Sequence, residues 1–239
     1  MNALWIIAAV SAFYIKGLCG FANTLVFDTV MGFGADNISI SPVELVLGYP
    51  SNIIMAYRDR KSIKWSFCIP VVALLAAGSL PGMFLLKNLD AGPIKVGCGL
   101  VVALAGVEML LRETKPTSMN PSKYVIVMVG ISAGILCGMF GIGVVLGAYL
   151  SRISGSMSEF KGNLSFIFAV ENTLRIIAYT ILGIVTLDSI KQATILLPFM
   201  LLGLFGGILS AKFINEAKAK RLVTIMLIIS GASLIILNI

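Results

Sequence analysis

Arg175 occupies the run Asn172-Thr173-Leu174-Arg175, near the middle of an apolar stretch from Phe166 to Val185. Glu171 stands four residues before it and Asn172 three, spacings that share one helical face. If the stretch crosses a bilayer, a charge at that depth costs about 3 kcal/mol or more unless it is paired or wetted. Binding of an ion or substrate is therefore the default role for Arg175. Arginine's planar fork suits two oxygens of a sulfur or phosphorus oxoanion, and Asn172 adds a hydrogen-bonding amide. The competing reading is a private Glu171–Arg175 pair that neutralises itself.

Two glycine-rich stretches offer a second kind of anion chemistry. One is Gly138-Met139-Phe140-Gly141-Ile142-Gly143; the other is Lys16-Gly17-Leu18-Cys19-Gly20, followed by Phe21-Ala22-Asn23. Without side chains the backbone can reverse tightly and bring its amides to a ligand. The helix that follows such a turn begins with free N–H groups and a positive dipole end. The candidate substrate-binding set is thus Lys16, Gly17, Gly20, Asn23, Asn52, Gly138, Gly141, Gly143, Asn172 and Arg175. For the glycines the plain alternative is close helix packing. For Lys16 it is a side chain snorkelling to the membrane edge.

Other titratable residues have simpler expectations. Ser41-Pro42-Val43-Glu44 reads as a capping box with proline at the first helical position, which makes Glu44 a cap. Glu108, four before Arg112, reads as an edge pair. The chain has no histidine, no GxSxG, no Walker loop and no CxxC pair among its four cysteines. No enzyme constellation, metal site or cofactor is expected. The net charge of +7 reads as basic cytoplasmic loops rather than as a nucleic-acid surface.

These groups must be held by a membrane scaffold. The 239 residues are 58% hydrophobic and 12% charged, against about 25% charged in soluble domains. Apolar segments lie at roughly 3–15, 18–35, 42–57, 65–86, 94–111, 124–138, 142–153, 163–185, 192–211 and 222–238. The fold class expected is all-α and polytopic. No positive n-region precedes Leu4–Tyr14, so a signal peptide is not expected. The segments 3–15, 124–138 and 142–153 are shorter than the ~20 residues of a straight span. Paired through glycine, they read as broken or re-entrant helical hairpins, tolerated at depth only inside protein or beside a water-filled cavity.

An internal repeat emerges from the glycines. Gly17 and Gly20 match Gly138 and Gly141 at an offset of 121, Asn52 matches Asn172 at 120, and Gly78, Gly82 and Gly106 match Gly203, Gly207 and Gly231 at 125. The expected division is 1–116 and 117–239. Each copy holds five apolar segments, and an odd number inserts the copies upside down relative to each other. Loop charge agrees: Arg58-Asp59-Arg60-Lys61-Ser62-Ile63-Lys64 is heavily basic, whereas its counterpart from Leu187 to Lys191 is nearly neutral. Assigning the basic loops to one face puts 13 of the 18 Lys and Arg residues there and three, Lys87, Lys95 and Lys191, on the other, with Lys16 and Arg175 inside apolar segments. Both termini are therefore expected outside.

At these residues the chain resembles the TauE/SafE family of sulfite and organosulfonate exporter-like permeases. The second half carries the likeness: Gly138 to Gly143, Lys161-Gly162-Asn163, Asn172, Gly183-Ile184-Val185 with Asp188, and Gly203 to Gly207. The first half matches through Gly17-Leu18-Cys19-Gly20 and Asn52. Val144 and Val145 stand where the family's turn usually continues with glycines and a proline, which marks a divergent member. The resemblance implies secondary transport of small sulfur-containing anions in the inner or plasma membrane. The partners it implies are a small anion and the bilayer, with a homodimer as an open option and no nucleic acid. A passive channel and a non-transporting membrane subunit are the rival functions.

Overall fold

The structure, a computed structural model, describes residues 3–31, 37–88, 91–112, 123–141 and 143–236. Among them lie ten α-helices and no strand: α1 (Ala3–Cys19), α2 (Asn23–Met31), α3 (Asn37–Arg58), α4 (Trp65–Asn88), α5 (Ala91–Arg112), α6 (Lys123–Phe140), α7 (Val144–Ile153), α8 (Met157–Ile181), α9 (Leu187–Ala211) and α10 (Glu216–Ile236). Each expected apolar segment corresponds to one helix, with bounds that differ by several residues in places. The boundary expected at residues 116 and 117 lies outside the described residues. Among the described residues three helices are long and apolar enough to cross a membrane, over Trp65–Met83, Met157–Ile181 and Leu187–Ala211. Large apolar side chains such as Met128, Ile181 and Leu202 are exposed on the outside, the surface that lipid would cover.

Local chemistry explains where α8 begins and ends. The Ser156 hydroxyl accepts from the Glu159 amide, a standard N-cap. At the other end Gly183 adopts φ +71. Its amide donates to Thr180 O, and the Ile184 amide donates to Tyr179 O, a Schellman closure that needs the left-handed residue. Thr186 and Ser189 then form a reciprocal capping box that opens α9.

α3 departs from expectation. It starts at Asn37 and runs through both Pro42 and Pro50. Glu44 is therefore not a cap. It lies inside the helix and is buried at 2% exposure. The capping pattern is overridden because α3 is clamped by α8, α9 and α2, and tertiary packing outweighs local preference.

The helices pair as α1 on α9, α4 on α6, α3 on α8 and α5 on α10. Glycines set the first two crossings. A Cβ on Gly17, Gly203 or Gly207 would strike the carbonyl oxygen of Leu204, Val10 or Tyr14, and one on Gly138 or Gly78 would strike that of Ser79 or Ile131. These backbones touch through small residues, as close helix pairs in membranes do. Gly17 and Gly138 are thus inside α1 and α6 and serve packing, contrary to the expectation that they cradle a ligand. The actual breaks fall later, at Gly20-Phe21-Ala22 and around Gly141.

Candidate functional site

Both breaks rely on left-handed backbone. Gly20 has φ +96, Ala22 φ +71 and Gly141 φ +70. For Ala22 this conformation costs about 1–2 kcal/mol, a strain that accumulates at functional sites more than elsewhere. The two breaks, though far apart in sequence, share one cavity. Its wall comprises Phe21 to Leu25 from the first break, Gly141 and Gly143 from the second, Glu44 and Asn52 of α3, and Phe168, Glu171, Asn172 and Arg175 of α8. α2 starts at this wall, and Gly143, the cap residue of α7, belongs to it. The cavity holds about 30 Å³. A water needs at least ~10–15 Å³, so the space admits water, and a larger ion must push side chains apart.

Arg175, 2% exposed, is the cationic centre. Its Nη1 donates to Cys137 O at 3.0 Å, and its Nη2 lies 3.7 Å from Glu44 Oε2. Glu44 Oε1 in turn accepts from Asn23 Nδ2 at 2.5 Å and Thr24 Oγ1 at 2.9 Å. The ion-pair contact is therefore with Glu44 on α3, not with Glu171 as the helical spacing suggests. Glu171 acts on Arg175 through space, and its Oε1 has no hydrogen-bond partner. Arg175 Nε and Asn52 Oδ1 are likewise unpartnered. Buried polar atoms are nearly always satisfied. Three orphans on residues of one cavity wall mark a place where something polar belongs.

Of the ten candidate residues, Asn23, Asn52, Gly141, Gly143, Asn172 and Arg175 line this cavity, while Lys16, Gly17, Gly20 and Gly138 do not. Lys16 is buried at 1% exposure, so it does not snorkel to an edge. It sits 5.9 Å from the Phe13 ring centroid and faces Glu44 electrostatically. Gly20 abuts the Lys161 side chain.

Sequence reasoning missed Glu44, Thr24, Phe21, Ala22 and Phe168 in the wall. Lys161, picked out by the resemblance and counted with the basic loops, is instead buried, and its Nζ donates to Gly17 O at 3.3 Å and Leu18 O at 2.7 Å. Lys161 closes the C-terminal end of α1, as Arg175 closes that of α6 through Cys137 O, each cation meeting the negative end of a helix. They stand 14 residues apart on α8, about 21 Å at 1.5 Å per residue. The remainder of Lys161-Gly162-Asn163 is structural. Gly162 lets the Asp59 carbonyl approach, and Asn163 Oδ1 accepts from Lys64 N at 2.8 Å and Cys68 Sγ at 3.3 Å at the start of α4. The signal for Glu44 was present, a carboxylate in an apolar segment, but the capping pattern concealed it.

A family model described as sulfite exporter TauE/SafE matches residues 5–234 of the chain. Comparison with curated proteins and with solved structures returns no match.

Proposed function

Because this chain belongs to the sulfite exporter TauE/SafE family, whose members are membrane transporters of sulfur anions, we propose that it carries sulfite or an organosulfonate by alternating access, in the inner or plasma membrane. The observation that carries this reading is the convergence of two helix breaks and one buried arginine on a single cavity with three unpartnered polar atoms. An anion entering there meets the unpartnered Nε of Arg175, with Glu44 kept at Nη2. Asn52 and Asn172 donate their amides, and the starts of α2 and α7 add positive potential. Membership points to a sulfur anion, and the geometry of the cavity supports this reading of where it binds.

Alternating access rests on a division into repeats, residues 1–116 and 117–239. Exchanging each helix for the one five places along turns the α1–α9 pair into α6–α4 and α3–α9 into α8–α4, while α3–α8 and α5–α10 map onto themselves. That self-consistency supports two copies of one design. The swapped loop charges support their inversion. One copy rocking against the other would expose the cavity to each face in turn.

The direct test is uptake of labelled sulfite, thiosulfate and sulfoacetate by proteoliposomes, beside thermal-shift binding of the same anions. Saturable uptake with matching stabilisation is the expected result. Flux that fails to saturate would mark a channel, and no binding at all would mark a non-transporting subunit. The orientation has its own check. In a background lacking native cysteines, cysteine placed at Ser62 should resist an impermeant thiol reagent in intact cells, and cysteine placed at the exposed Asp188 should label. The reverse pattern would invert the topology.

A further inference from the structure

Anion binding at Arg175 leaves a charge imbalance. Glu44, Glu171 and Arg175 share the wall of one cavity and are 2%, 3% and 2% exposed. Two carboxylates already face one guanidinium. An arriving anion would place three negative groups around the one cation of the cavity wall, Arg175, in a low-dielectric space, where like charges at short range cannot all stay ionised. One carboxyl must accept a proton as the anion enters.

The contacts distinguish the two. Both oxygens of Glu44 face donors: Asn23 and Thr24 at Oε1, and Arg175 at Oε2. A proton on Glu44 would cost its ion pair with Arg175 and weaken its hold on Asn23 and Thr24. Glu171 Oε1 has no hydrogen-bond partner. A proton there breaks nothing, and the resulting O–H becomes a donor available to the anion. Glu171 lies on α8, which packs against α3, α4, α7 and the 3-10 turn Arg60–Ser62, whose charges do not act on it. The charged groups that act on it are Arg175 on its own helix and Glu44 on α3. Among described side chains the titratable residues of α4 and α7 are Cys68 and Tyr149, and neither acts on it. Lys16 on α1 acts on Glu44 instead.

We propose that Glu171 is a proton-binding site whose occupancy is coupled to the anion at Arg175, so that the protein moves a sulfur oxoanion together with a proton. The proton comes from water on the side where the anion enters, forms the carboxyl O–H of Glu171, and returns to water on the side where the anion leaves. No bond within the anion changes. This rests on the reading that the cavity binds an anion, and it adds the coupling ion.

The test uses proteoliposomes of the full chain with a pH-sensitive dye in the lumen. The probes are labelled isethionate and thiosulfate, both fully ionised near neutral pH, so that neither brings its own proton. For the wild type, uptake should acidify the lumen, and an inward proton gradient should raise isethionate accumulation about tenfold per pH unit for one proton. Glu171→Gln should still exchange labelled for unlabelled anion, at a reduced rate. It should neither acidify the lumen nor accumulate anion above the outside concentration. If that variant does not fold, the wild-type lumen pH decides alone. Wild-type uptake with a steady lumen pH and no response to the gradient overturns the proposal and leaves anion transport standing. Gradient-driven accumulation by Glu171→Gln also overturns it. No uptake of either probe or of sulfite by the wild type removes the anion reading itself, and the proposal with it.

Discussion

Arg175→Ala should abolish transport and also reduce the amount of folded protein. Truncation removes the cation that Glu44 contacts at 3.7 Å and the donor to Cys137 O at 3.0 Å. It leaves buried Glu171 without a counter-charge and Glu44 with Lys16 alone. Breaking a buried pair from one side costs about 3–5 kcal/mol, a large share of the stability of a small protein. Arg175→Lys separates the two losses. It keeps the charge, but one ammonium cannot reproduce a fork that meets Cys137 O and Glu44 together. A hydrogen bond to a charged group is worth about 1.5–3 kcal/mol, so uptake per folded molecule should fall roughly ten- to hundredfold. Proteoliposome uptake normalised to the monodisperse fraction measures this. Wild-type uptake by either variant would remove Arg175 from the site.

The second large effect is expected at Gly141. Its φ of +70 makes any side chain cost about 1–2 kcal/mol, and the added Cβ of Gly141→Ala would press on the Arg175 guanidinium. That guanidinium is the far end of a flexible side chain, so it can move while the fold survives. The expected outcome is near-normal expression with substrate binding weakened at least tenfold. Gly207→Ala should behave oppositely. Its Cβ meets the Tyr14 carbonyl oxygen, which is backbone and cannot swing aside. Overpacking of that kind costs about 1–3 kcal/mol, so thermal stability drops while the molecules that remain folded bind normally. Gly20→Ala groups with Gly207 rather than with Gly141, because it crowds Lys161 outside the cavity. If Gly141→Ala and Gly207→Ala match in both stability and affinity, the second break has no special part in binding.

How far the sequence reaches is visible in these glycines. Hydrophobic runs place the helices because burial in lipid or core needs only composition and length. The residues 94–111 became Ala91–Arg112, and 65–86 became Trp65–Asn88. Arg175, Asn172, Asn52 and Gly141 were also legible, since a charge, an amide pair or a turn stands out against an apolar run. Whether a glycine meets a ligand or another helix was not legible. Gly17 and Gly141 look alike locally, yet one lies against the Leu204 carbonyl and the other against Arg175. That difference depends on neighbours far away in the chain. Glu44 was hidden for the same reason. Its partners Asn23 and Arg175 lie on other helices, and a local capping pattern offered it a plausible role nearby. α8 starts at Met157, six residues before the apolar run at 163, because Glu159 and Lys161 interrupt that run. Those two residues turn out to pair with Lys64 and to close α1.

The central claim is that Arg175 exists to hold an anion rather than to hold Glu44. Equilibrium binding of labelled sulfite to purified wild type and to the double variant Glu44→Gln with Arg175→Gln tests it most directly. The double change removes one charge of each sign, so the net charge of the cavity stays as it was, and Glu171 loses the attraction of Arg175 together with the repulsion of Glu44. The account predicts that the double variant stays monodisperse, melts near the wild-type temperature and shows no saturable sulfite binding. A folded double variant that binds sulfite as tightly as the wild type would show that Arg175 serves only its structural pair.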